Sequence, residues 1–89
     1  MQTIWKFSAP INDSLTIEMP AEAQLLSVDT QFGEPQLWAL VDSDNPKEKR
    51  HFAWRGTGHN CNGLKAIGHV GTIQMHSGQL VFHLFEVSE

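Results

Sequence analysis

The residues best suited to chemistry lie together in one short stretch, Arg55-Gly56-Thr57-Gly58-His59-Asn60. Glycines at alternate positions can turn backbone N–H groups to one side as a nest for an anion, and Arg55 and His59 could complete a phosphate or carboxylate site. Trp54, beside the stretch, and Trp38 could add a stacking surface for a base, as in sheet-based single-strand binders. The candidate ligand set is therefore Trp54, Arg55, Gly56, Thr57, Gly58 and His59, with a nucleotide or other small anion as ligand. The stretch is neither a Walker loop nor a dinucleotide fingerprint, because no strand–loop–helix context surrounds it and no lysine follows. The plainer alternative is a glycine-dependent turn joining two strands.

Other constellations are thinner. The five histidines, His51, His59, His69, His76 and His83, match no established zinc spacing, and His59 with Cys61 and His69 would still lack a fourth ligand. His83, between Val81 and Phe85 on its face, reads as a hydrogen-bonded core residue. Ser14, Ser27, Ser77 and Cys61 stand in no context that would activate a nucleophile. Cys61 reads as a small, partly buried thiol. Asp29, Asp42 and Asp44 fall on polar faces or in loops and form no acid–base pair. No catalytic residue, metal or cofactor is expected, and the chain is not expected to be an enzyme. The remaining polar feature is Asp42 to Arg50, a solvent-exposed loop by composition. Within it Asp44, Lys47, Lys49 and Arg50 offer the easiest grip for a protein partner.

The elements that must position these residues alternate with period two between turn signals, which makes them strands. Thr3–Ser8 sets Thr3, Trp5 and Phe7 against Ile4, Lys6 and Ser8, and Ala9-Pro10 ends it. Leu15–Met19 follows the turn cluster Asn12-Asp13-Ser14 and stops at Pro20. Leu25–Phe32 is expected to bury Leu26, Val28, Thr30 and Phe32, in preference to a helix over Ala21–Val28. Gly33-Glu34 suits a tight turn with glycine first. Gln36–Asp42 sets Leu37, Ala39 and Val41 opposite Trp38 and Leu40. His51–Arg55, Ile67–Met75 and Leu80–Val87 complete the series. Gly68 and Gly71 mark a bulge or a close approach, and Ser77-Gly78 marks a hairpin turn. In Leu80–Val87 both faces are apolar, so this strand belongs in the middle of the core.

The expectation is a single all-β domain over 1–89. It is a small antiparallel barrel or sandwich of six to seven short strands, with at most one short helix. Eighty-nine residues leave a thin stability margin that oligomerisation would widen, and an open edge strand makes a homodimer or higher homo-oligomer the natural form. The formal net charge of −4 opposes binding of long nucleic acid through its phosphates. A single cysteine allows no internal disulfide, and no signal-peptide core or membrane-length apolar run is visible. The expected location is the cytoplasm, with no membrane partner.

Several segments recur together: Ile4-Trp5-Lys6-Phe7, Thr16-Ile17-Glu18-Met19-Pro20, Leu26-Ser27-Val28, Leu37-Trp38-Ala39-Leu40-Val41-Asp42, Gly56-Thr57-Gly58-His59, Ile67-Gly68 and Leu80-Val81-Phe82-His83-Leu84-Phe85-Glu86. In that order they resemble a family of small uncharacterised bacteriophage and prophage proteins, over almost the whole chain. Ile67-Gly68-His69-Val70-Gly71-Thr72-Ile73-Gln74 departs from the aromatic-containing text of many members, which suits a length-tolerant loop just upstream. The resemblance carries no catalytic residue set. It implies an accessory protein in the bacterial host cell that acts by binding a host protein, including a component of antiviral defence.

Overall fold

The computed structural model describes residues 1–88. Seven strands, β1 (Gln2–Ser8), β2 (Leu15–Pro20), β3 (Gln24–Gln31), β4 (Glu34–Asp42), β5 (Lys47–Gly56), β6 (Ala66–Met75) and β7 (Leu80–Val87), form two sheets. One is three-stranded, in the order β1-β4-β3, and the other four-stranded, in the order β2-β5-β7-β6. Every pairing is antiparallel. The fold is an all-β sandwich, and neither sheet closes into a barrel.

The alternation of the sequence becomes the two-sidedness of each sheet. Leu37, Ala39 and Val41 of β4 face inward and are fully buried against Phe52 and Trp54 of β5, Met19 of β2 and Leu84 of β7. Burying these side chains is the main stabilising term, at about 1.5–3 kcal/mol for each large one. Trp54, only 2% exposed, satisfies its one polar atom by donating Nε1–H to the Ala9 carbonyl at 3.1 Å. Trp5 and Phe7 of β1 are half-buried at the margin of the same core.

Three expectations are corrected. First, β3 does not bury Leu26, Val28, Thr30 and Phe32 on one face. A bulge at Leu26, between Leu25 and Ser27, breaks the period of two. Leu25 and Val28 then both reach the core, and Leu26 is left 43% exposed. A one-residue insertion reverses every later side chain, and composition does not announce it. Second, Asp42–Arg50 is not a loop throughout: β5 begins at Lys47, which pairs with Pro20. Charged residues there mark solvent-facing positions of a strand rather than an irregular backbone. Third, β7 is interior to its sheet, yet only Leu84 is fully buried on it. Val81, His83, Phe85 and Val87 form a half-covered outer face.

At Gly71 the two sheets approach closely. A Cβ there would stand 2.8 Å from Val28 Cγ1, so glycine lets β6 lie against β3. Register shifts between Ala66 and Gly68 and between His69 and Gly71 bend β6 into that position.

Candidate functional site

The stretch around Gly56 is a closed turn. Gly58 adopts φ +84°, which glycine supplies without strain, and the His59 N–H donates to the Gly56 carbonyl at 3.0 Å. The Thr57 N–H donates to the Val81 carbonyl at 3.0 Å, and the Gly56 N–H to His59 Nδ1 at 3.3 Å. The N–H donors of Gly56, Thr57 and His59 are thus used inside the protein. Arg55 is held in part as well: its Nη1 donates to the carbonyls of Asp13 and Trp54, both at 2.8 Å. Trp54 lies in the core and offers no face to a base. Of the candidate ligand set, Thr57 and Gly58 are exposed, and so is His59. Its ring covers Gly56, where a Cβ would stand 2.6 Å from His59 Cε1. It also meets Phe82 edge-on at 6.4 Å between centroids, beside a shallow cavity of about 290 Å³.

The charged candidates also divide. Arg50 is a structural clamp. Its Nε and Nη2 donate to the two Glu86 carboxylate oxygens at 2.6 and 2.8 Å, and its Nη1 to the Ala23 carbonyl at 2.5 Å. The side chains are 18% and 17% exposed, and the hydrogen bonds donated to the Glu86 carboxylate raise the Arg50 pKa above its ordinary value. A bidentate arginine held this way ties β5, β7 and the β2–β3 turn together. Asp44 is also engaged, accepting from the amino group of Met1 at 2.7 Å, while Asp42 accepts from the same group at 3.0 Å. The Asp44 N–H, and after it the amino group, hold the Asp42 carboxyl below the usual carboxylate range. Lys47 and Lys49 are exposed at the start of β5.

The outer face of the four-stranded sheet carries a side-chain network that sequence reasoning placed in the core. His83 Nε2 lies 2.7 Å from Thr57 Oγ1 and His83 Nδ1 3.0 Å from Thr72 Oγ1. His69 stacks obliquely on Phe85 at 5.4 Å. Hydroxyls and imidazoles here satisfy one another across strands. Cys61, expected to be partly buried, is exposed. Among the described residues no three His, Cys, Asp or Glu side chains stand together as a metal site would need. No helix among them is long and apolar enough to cross a membrane.

What the sequence did not reveal is Phe32. Gln31 pairs with Glu34, so the β3–β4 turn is a two-residue loop made of Phe32 and Gly33, with φ of +52° and +80°. Two positive φ values are the signature of a type I′ turn, whose preferred first residue is asparagine, aspartate or glycine. Here that place is held by a phenylalanine that is 96% exposed. A bulky side chain in this region costs about 1–2 kcal/mol, and its phenyl ring gains nothing from burial. Beside this turn lies the β6–β7 turn, where His76 and Ser77 also have positive φ. A cavity of about 310 Å³ lined by Thr30, Gly33, Gln74, Met75 and His76 separates the two turns. The sequence signal was available, since Phe-Gly between two alternating runs fits a two-residue hairpin loop one place upstream of Gly33-Glu34.

A single family model, a domain of unknown function designated DUF7352, matches residues 1–89. The chain belongs to that family. No curated protein and no solved structure matches it. Family membership leaves the activity to be argued from the site.

Proposed function

We propose that this protein works by binding, and that it holds a partner protein through the β3–β4 turn with Phe32 as the buried anchor of the complex. The carrying observation is Phe32 itself, fully exposed at a backbone conformation that disfavours it. Residues held in strained conformations at exposed turns are where function, rather than folding, sets the side chain. Aromatic side chains inserted into a partner's pocket dominate the energetics of protein interfaces. Glu34 and Asp29 flank the apex and are exposed, which suits a partner whose apolar pocket has a basic rim. The same acidic flank and the net charge of −4 disfavour an anionic lipid surface.

The nucleotide-binding reading has less support, since Arg55 Nη1 and the N–H groups of Gly56, Thr57 and His59 bond within the protein and Trp54 is buried. On this reading the partner is a host protein and the protein acts in the bacterial cytoplasm, in keeping with its sequence resemblance to bacteriophage and prophage proteins. The test is affinity capture from host lysate with the wild type and Phe32→Asn in parallel. The reading expects a stoichiometric protein that the wild type retains and Phe32→Asn loses, although Phe32→Asn folds at least as stably. Equal capture by the two proteins would refute it.

A further inference from the structure

The four strand edges of this sandwich are not alike. β2 is short, carries Glu18 and ends in Pro20. β3 is bulged at Leu26, and β6 is shifted in register twice, while the two lie against each other at Val28 and Gly71. These are the devices by which sheet edges avoid pairing with other chains. β1, Gln2–Ser8, has only an outward-facing charge, Lys6: it runs in unbroken register against β4, without bulge, proline or inward-pointing charge.

The open side of β1 can be read from its hydrogen bonds. Ser43 N–H donates to the Met1 carbonyl, and Ala9 N–H to the Pro35 carbonyl. In an antiparallel ladder the bonded pairs alternate, so Thr3, Trp5 and Phe7 bond to β4. Gln2, Ile4, Lys6 and Ser8 therefore turn their N–H and C=O groups away from β4. All four residues are exposed, and no backbone bond outside the ladders reaches them among the described residues.

We propose that β1 pairs antiparallel with β1 of a second copy of this chain, about a two-fold axis at Trp5, to give a continuous six-stranded sheet. The second copy is the occupant because the strand is complementary to itself in that register. Gln2 then faces Ser8 of the other copy and Ile4 faces Lys6. Those are the residues with free backbone groups, and so they form the hydrogen-bonded pairs. Trp5 faces Trp5 in the closer, non-bonded pairing, where aromatic pairs are favourable. The single charge of β1, Lys6, meets no like charge; centring the axis on Lys6 would oppose two lysines. Pairing also covers the flanks of Trp5 and Phe7, which the monomer leaves half-buried. β1 and β3 are opposite edges of their sheet, so both Phe32 turns stay free in the dimer and the inference stands independently of the partner proposed above.

Sedimentation equilibrium from about 1 to about 100 µM, a range that reads micromolar affinities, tests this on the intact chain. The wild type is expected to dimerise within that range. Ile4→Pro removes an outward N–H and no ladder bond to β4, so it is expected to remain monomeric with an unchanged unfolding transition. Ile4→Lys sets a lysine opposite Lys6 twice per dimer and should weaken association about tenfold, whereas Ile4→Glu should associate at least as well as the wild type. A wild type monomeric throughout, or a dimeric Ile4→Pro, overturns the β1 interface. Equal weakening by Ile4→Lys and Ile4→Glu overturns the Trp5 register.

Discussion

The two ends of β3 treat their chemically distinctive side chains in opposite ways. At the start of β3, Arg50 reaches from β5 to Glu86 of β7 and the Ala23 carbonyl, and the β4–β5 connection is pinned as Asn45 Nδ2–H donates to the Ala21 carbonyl at 2.9 Å. At the far end, Phe32 stands in solvent on a left-handed turn. One end has charges that are internally satisfied and unavailable to a partner. The other has an apolar group that gains nothing from burial in the monomer and that the proposed function assigns to a complex. If that assignment holds, misplaced apolar surface is a better guide than charge to where this domain meets a partner.

The largest expected effect tests the satisfied end. Arg50→Met leaves the Glu86 carboxylate between the sheets without its partner, and should lower stability by about 3 kcal/mol, read from the urea midpoint. Arg50→Met with Glu86→Leu should restore much of that loss, because an apolar pair replaces the ion pair. If Arg50→Met were neutral, the clamp would be a surface contact and Arg50 would return as a candidate partner residue.

Next is the platform under the apex. Gly71→Ala pushes a Cβ against Val28 and should cost about 1–2 kcal/mol, with Val28→Ala in the same chain relieving part of it. A neutral Gly71→Ala would mean that β3 and β6 separate easily. Phe32→Asn follows with the opposite sign. It should raise stability by about 1 kcal/mol, since asparagine suits the first position of a type I′ turn. A destabilised Phe32→Asn would mean that the phenyl ring is packed, and the contrast between the two ends would collapse.

The smallest effect is electrostatic. Asp42 has a lowered pKa when folded, so its contribution is present above the ordinary value of 3.8 and is lost as pH falls through that value toward the lowered one. The Met1 amino group, chiefly through its bonds to Asp44 and Asp42, is raised above 8.0, so its contribution is full below that value and is lost as pH rises through the raised one. Asp42→Asn should flatten the acid limb in a pH series of thermal melts. Both groups are solvent-exposed, so the change should be slight. An acid limb unchanged in Asp42→Asn would place the titration elsewhere.

Much of the fold was legible in the sequence. Alternation in Thr3–Ser8 and Gln36–Asp42 separated Trp5 and Phe7 from Ile4 and Lys6, and Leu37, Ala39 and Val41 from Trp38 and Leu40, and Ser77-Gly78 marked the last hairpin. The misreadings have physical causes. The bulge at Leu26 has no compositional mark, so Leu26 was placed inward; Val28 and Thr30 keep the expected phase, and Phe32 was carried inward because the strand ends one residue earlier, at Gln31. Lys47–Arg50 looked like loop because polar side chains report solvent, not backbone. The Gly56–His59 loop allowed either a plain turn or a nest, because glycine permits both; Val81 and the His59 ring, which decide where its N–H groups go, are set by the fold. The apex was hidden because phenylalanine is improbable at a type I′ position on folding grounds alone, and that improbability is what makes it informative.

The most direct test sets the two ends against each other in one titration. The captured partner is titrated with the wild type, Phe32→Asn and the double variant Lys47→Glu/Lys49→Glu. Loss of a central aromatic anchor should weaken binding by at least about thirtyfold, and the exposed lysines should change it less than about threefold. Retained affinity in Phe32→Asn with loss in the lysine variant would contradict the account and return the binding surface to the start of β5.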